Sequence, residues 1–154
     1  MRCPLIVLAA LLLAACAAGG GKLSRQIDQG RMQKQLRSTS HSLSYRNSCS
    51  FQDETGYKGS NRIEIEDNRV LSLATAIELP HDGGRCNFEG PGFRQTRSSP
   101  SIELLHPDGC TARLWTQGQQ LTISYTHCEA RCTQPQNFKK VWPVLIDMPS
   151  GRCD

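Results

Sequence analysis

The chain opens on an apolar run, passes through a polar stretch with little periodicity, and from Leu43 onward alternates apolar and polar residues. A period of two marks half-buried strands. Arg62-Ile63-Glu64-Ile65-Glu66 alternates strictly and runs into the turn dipeptide Asp67-Asn68. Beyond it Leu71, Leu73, Ile77 and Leu79 share one parity with Thr75, and Pro80-His81-Asp82-Gly83-Gly84 ends that strand.

Residues 102–127 carry the clearest pattern. His106-Pro107-Asp108-Gly109 suits a type I turn closed by a glycine bulge, because proline fits the second position and glycine takes a positive φ. That turn sets Leu104 opposite Ala112 and Ile102 opposite Leu114. A two-residue turn at Gln117-Gly118 then sets Leu114 opposite Leu121, Ala112 opposite Ile123 and Cys110 opposite Tyr125. One face becomes Ile102, Leu104, Ala112, Leu114, Leu121, Ile123 and Tyr125. The other carries Glu103, Thr111, Arg113, Thr122, Ser124 and Thr126. A bulge-free turn would scramble both faces, so the pattern selects its own register. A last strand is expected over residues 141–146, and Pro143 makes it an edge strand or a bulged one. With no strong helical period in this segment, the expected fold is all-β: a small antiparallel barrel or sandwich of about six to eight strands.

Residues 17–42 are rich in Gly, Ser, Gln and Arg. Leu23, Ile27, Met32 and Leu36 recur at near-helical spacing around Gly30, so this stem is either a short amphipathic helix or a flexible linker. The first residues have the parts of an export signal: Arg2, an apolar run from Leu5 to Leu13, and the small pair Ala14-Ala15. The run is far shorter than the ~20 residues of a spanning helix. Leu13-Ala14-Ala15-Cys16 resembles the bacterial lipobox. The resemblance covers only these first 16 residues. It implies cleavage before Cys16 and lipidation of its thiol by diacylglycerol and palmitate-type chains. The alternative is an ordinary signal peptide cut nearby, for instance after Ala18. Ala17, where an Asp would signal inner-membrane retention, resembles outer-membrane sorting. The expected organisation is a lipoprotein signal peptide over 1–15, a lipid anchor and basic linker over 16–42, and a disulfide-rich β domain over 43–154. The expected place is the cell envelope, lipid-anchored in the outer membrane and facing the periplasm.

Charge is uneven. The whole chain carries +4. Lys22, Arg25, Arg31, Lys34, Arg37 and Arg46 stand against Asp28 alone, whereas from Asn47 onward eleven basic residues meet thirteen acidic ones. The basic stretch next to the anchor is either a headgroup-attracted patch, at about 1 kcal/mol per cation, or a solvated stem. Nothing in this distribution argues for nucleic acid.

Eight cysteines need sorting. Cys3 leaves with the signal and Cys16 takes lipid, which leaves Cys49, Cys86, Cys110, Cys128, Cys132 and Cys153 as disulfide candidates in an oxidising compartment. Six cysteines allow 15 pairings, and sequence does not choose among them. His127-Cys128 and Cys132 form a C-x3-C that raises copper or redox chemistry. The dinuclear copper pattern fails, because Gln136 and Lys139 stand where His and Met belong, and a lone pair does not make a zinc site. No metal or other cofactor is expected. The chain holds no nucleophile elbow, HExxH, phosphate loop or calcium loop, and Gly20-Gly21-Lys22 belongs to the linker. His41, His81, His106 and His127 are scattered, and Asp82 and Glu89 flank a glycine-rich loop. A non-enzymatic protein is therefore expected.

Binding is expected to fall to the loops at 81–85, 90–100 and 132–140. In the middle one Phe93, Arg94 and Arg97 are residue types that suit interface anchors. Alternatively, Phe93 packs onto the end of the domain and the arginines are solvated. Tyr45-Arg46-Asn47-Ser48-Cys49, and Leu114-Trp115-Thr116-Gln117-Gly118 followed by a strand and Cys128, resemble the beginning and end of membrane-bound inhibitors of c-type lysozyme. The resemblance implies a short-stemmed lipoprotein with an antiparallel barrel. The Ser-Gly-x-x-Tyr inhibitory signature of that family is absent, so no inhibitory residue is carried over. The resulting expectation is an envelope lipoprotein binding a protein partner, as an inhibitor or immunity factor against a wall- or membrane-degrading enzyme. Two alternatives stand beside it: a pilotin-like accessory lipoprotein of a secretion or pilus machine, and a redox or copper protein using Cys128 and Cys132.

Overall fold

The structure, a computed structural model, describes residues 42–154. The expected signal, Cys16 and the 17–41 stem lie outside the described residues. Nine strands form: β1 (Tyr45–Gln52), β2 (Lys58–Glu66), β3 (Arg69–Glu78), β4 (Arg85–Phe88), β5 (Arg94–Arg97), β6 (Ile102–Leu105), β7 (Thr111–Gln117), β8 (Gln120–Thr126) and β9 (Val144–Asp147). That is one more than the expected range. They make two antiparallel meanders, β1-β2-β3-β4 and β5-β6-β7-β8-β9, and the only helical pieces among the described residues are 3₁₀ turns at Glu129–Arg131 and Pro135–Lys140. No ladder runs from one sheet to the other, so this is a two-sheet arrangement and not a closed barrel.

The 102–127 pattern holds in its faces. Leu104 faces Ala112 and Ile102 faces Leu114. The bulged turn is as expected: Gly109 N–H donates to His106 O at 2.9 Å, His106 N–H donates to Cys110 O at 2.8 Å, and Gly109 has φ 92°. The next turn falls one residue later than expected, at Gly118-Gln119, which sets Leu114 opposite Ile123 and Ala112 opposite Tyr125. A primed hairpin turn needs a positive φ at its first central residue. Gly118 takes it at 60°, whereas the expected placement required it of Gln117. The shift of two in register preserves both faces, and all seven apolar residues are buried. Thr122, expected on the outer face, is buried as well.

In the first sheet Asp67 and Asn68 both have positive φ, 49° and 63°, as a type I′ turn requires. A bulge follows: Ser72 faces Glu64 and Val70 faces Ile65, so Leu71 has no partner of its own. Val70 turns inward in its place and Leu71 points outward, 43 % exposed, against the expected parity. The last strand also differs from expectation. It begins only at Val144, because Pro143 has no N–H for the ladder; β8 is the one named strand it pairs with, and its other side meets only the short C-terminal return, through the Ile146–Cys153 bridge.

One hydrophobic core draws on both sheets. Phe88 of β4 is fully buried and stacks on Tyr125 of β8 with ring centroids 3.9 Å apart. Tyr125 Oη and Asn61 Nδ2 each donate to Thr75 Oγ1 at 2.6 Å, which links three buried polar side chains in the core. Burial pushes the Tyr125 hydroxyl well above the ordinary tyrosine range, and the Thr75 bond pulls it back only in part.

The seams between the sheets are held by other means. Past β9 the chain folds back along it, with Asp147 N–H on Arg152 O and Asp154 N–H on Leu145 O, both 2.9 Å. This return places Cys153 against β1, where it bonds Cys49, and Asn47 Nδ2 donates to Gly151 O at 3.0 Å. At the other edge Cys86 of β4 bonds Cys132, and Thr133 N–H donates to Arg85 O at 2.8 Å. Cys110 bonds Cys128 within the second sheet's connections. Gln95 acts as a surrogate strand end: Val70 N–H donates to its Oε1 at 2.9 Å and its Nε2 donates to Asn68 O at 2.7 Å.

The three disulfides are strictly nested, spanning 104, 46 and 18 residues. In the chain-entropy account loops of these lengths contribute about 4.7, 4 and 3 kcal/mol taken singly. Nesting makes the sum smaller, since each inner bridge already shortens the loop outside it.

Candidate functional site

The segment from Glu89 to Pro100, expected as one loop, is interrupted by β5: Phe93 precedes the strand, and Arg94 and Arg97 are its first and last residues, paired with β6. Phe93 is half-buried there. His106 meets its ring edge-on at 5.3 Å, and the Arg131 guanidinium lies over it at 5.5 Å. Arg131 is itself fixed, with Nε 2.8 Å from Asp108 Oδ2 and Nη1 donating to Glu89 O at 3.2 Å. His106 Nδ1 lies 2.8 Å from Asp108 Oδ1. Desolvation pulls the Asp108 carboxyl up, but the Cys110 N–H, His106 and Arg131 together hold it below the ordinary carboxylate range. A Cβ on Gly92 would sit 2.0 Å from His106 Nε2, so only glycine lets the loop pass this close. The group is a clasp that ties the loop to the β6–β7 turn. Arg97 pairs with Glu103 at 2.6 Å. Arg94 is exposed, with no ion pair among the described residues. The three residues therefore do not gather into one patch.

The other two loops are zipped together. Gln134 Nε2 donates to Asp82 O at 2.8 Å and Asn137 Nδ2 donates to Gly83 O at 3.0 Å, beside the Cys86–Cys132 bridge. His127 stays exposed, and Cys128 and Cys132 each bond a cysteine elsewhere, so the C-x3-C is neither a dithiol nor a bridge within itself. This removes the thiolates that the redox or copper alternative needs. Among the described residues no three His, Cys, Asp or Glu side chains gather into a metal-binding group.

The second 3₁₀ turn ends on Lys139 and Lys140, and Trp142 lies just beyond it. Trp142 is 71 % exposed, far more than any other large apolar side chain described. Its backbone is nevertheless fixed, for its N–H donates to Tyr57 Oη at 3.0 Å, and Tyr57 stacks on Phe51 at 6.0 Å. Burial raises the Tyr57 hydroxyl, while the Trp142 bond opposes that shift. Pro143 stiffens the other side. Trp142 thus precedes β9 and is not part of the strand expected over residues 141–146. The available signal was the order Lys-Lys-Val-Trp-Pro, since the proline delays the strand and leaves the indole on the ledge before it.

The outer face of the first sheet forms an open concavity of about 610 Å³. Register places Ser50, Ser60, Ala76 and Asn87 in one row across β1 to β4. The neighbouring row is Gln52, Lys58, Glu78 and Arg85. Lys58 Nζ lies 2.8 Å from Glu78 Oε2, and Arg85 pairs with the same carboxylate. The Lys58 ammonium, and next the Arg85 guanidinium, hold the Glu78 carboxyl down at about 2. Sequence reasoning missed this face, because four small residues in four separate segments give no periodic signal.

Compared with protein-family models, curated proteins and solved structures, the chain matches none of them.

Proposed function

We propose that this is an exported, lipid-anchored envelope protein that binds a protein partner, acting as an inhibitor or immunity factor against a wall- or membrane-degrading enzyme. The observation that carries the reading is Trp142: a tryptophan held out on a fixed ledge is the side chain most enriched at binding hot spots, and rigid presentation keeps the ordering cost of binding low. Three nested disulfides support an oxidising compartment. The lipobox-like Leu13-Ala14-Ala15-Cys16 supports anchorage, and the resemblance to lysozyme inhibitors supports the class of partner. Binding occludes the enzyme's cleft, with Trp142 as the inserted anchor and Lys139 and Lys140 at its rim; the exposed Arg94 at the start of β5 offers a further cation.

The test is genetic. A strain lacking the protein is challenged with c-type lysozyme and with the periplasmic toxins of its neighbours. Increased sensitivity, restored by the intact gene and not by Trp142→Ala, is the expected result. Unchanged sensitivity, together with a mislocalised secretin, would reject it in favour of an accessory role in a secretion machine.

A further inference from the structure

We infer that the outer face of the first sheet is a docking trough for an extended acidic segment of a protein partner, an inference that takes from the proposed function only that the partner is a protein. The floor is the row Ser50, Ser60, Ala76 and Asn87, none of whose side chains reaches far above the sheet. Four strands at ~4.8 Å spacing make that row about 14 Å long. Its walls are the longer side chains on either side. Lys58 and Arg85, sharing Glu78, stand on one side. Arg62, whose partners across the ladder are the small Ser48 and Ala74, stands on the other.

Lys58 and Arg62 lie four residues apart on β2, about 13 Å at ~3.3 Å per residue. That width admits a single extended polypeptide and is too narrow for a duplex. Three cations against one carboxylate leave the trough at +2, although the chain from Asn47 onward carries more acid than base. Arg62 is exposed and has no ion pair among the described residues, so its guanidinium is free for a ligand carboxylate. A complementary acidic strand gains attraction from both walls and meets no bulky side chain between them. A basic segment is repelled at the same two places.

The probe is a ten-residue peptide alternating Glu and Ser, added to the full mature chain with its disulfides intact and followed by amide NMR and by fluorescence anisotropy. Saturable shifts confined to Ser50, Ser60, Arg62 and Ala76 are expected, weakening as salt is raised. R62E, on an exposed site, is expected to lower the affinity about tenfold through like-charge repulsion. S60E, which puts a negative charge on the neutral floor, is expected to do the same. R113E, on the second sheet, leaves binding unchanged. Absent shifts, shifts elsewhere, or equal binding of a control ten-residue peptide alternating Lys and Ser would overturn the inference. So would binding of phosphatidylglycerol vesicles by these residues in place of the peptide. The assay needs no native partner and leaves Trp142 intact, so its failure is distinct from failure of the proposed function.

Discussion

Strands of eight, nine and ten residues make up most of the first sheet, whereas the second is built from strands of four to seven. The long strands are joined by tight turns and support one another through extended ladders. The short ones depend on what happens between them: the clasp around Phe93, the Gln95 bridge and the fold-back of the C-terminal residues along β9. Both edges of the first sheet are stapled by disulfides to segments that follow strands of the second. The division leaves the outer face of the first sheet unencumbered and places the projecting residues in the second, Arg94 at the start of its edge strand β5 and Trp142 on the connection before β9.

The largest effect is expected at the Phe88–Tyr125 stack, the aromatic contact that joins the two sheets among the described residues. Phe88→Ala removes a fully buried ring from its 3.9 Å contact with Tyr125 and is expected to cost about 5 kcal/mol, at the upper end for such truncations. Urea unfolding measures it, and a loss below ~2 kcal/mol would mean that the sheets do not depend on this contact. Removing the middle bridge with Cys86→Ala and Cys132→Ala is expected to cost somewhat less than the ~4 kcal/mol of a lone bridge of that length, because the Cys110–Cys128 bridge already shortens its loop. Amide exchange should then rise first in β4 and around Gly83, because the hydrogen bonds of Gln134 and Asn137 share that seam. Uniform exchange across both sheets would contradict the local role given to the bridge. Tyr125→Phe deletes one buried hydrogen bond while Asn61 still reaches Thr75, so about 1 kcal/mol is expected by the same unfolding measurement.

The smallest effect is on pH dependence. Because the folded Glu78 carboxyl is held at about 2, below its ordinary 4.5, its contribution to stability is present above the ordinary value and is lost as pH falls from there toward 2. Carboxyl NMR should place its midpoint near 2, with Lys58→Ala raising it. A midpoint near the ordinary value in the intact protein would show that the Lys58–Glu78–Arg85 wall does not form in solution.

How much of this was legible in the chain follows from the same contrast. In the second sheet, strict alternation on either side of a turn with a proline and a glycine set the faces of β6, β7 and β8. A misplaced turn at Gln117 moved the register by two and left every face intact. The first sheet was harder to read, because a bulge changes parity without changing composition. Leu71 looks like core in the sequence and is turned outward by one unpaired residue. Six cysteines announced disulfides but not their nesting, which is set by which edges meet. Phe93 had the composition of an interface anchor, yet its neighbours His106 and Arg131 come from distant segments that sequence does not place beside it. The row of small residues across the first sheet exists only once four strands are aligned.

The central claim, that Trp142 meets a protein partner, is tested most directly by placing a photocrosslinking amino acid at position 142 and, as a control, at the exposed Leu105. In intact cells the account predicts a discrete adduct with one protein from position 142 and none from position 105. No protein adduct at 142, or the same adducts from both positions, would contradict it.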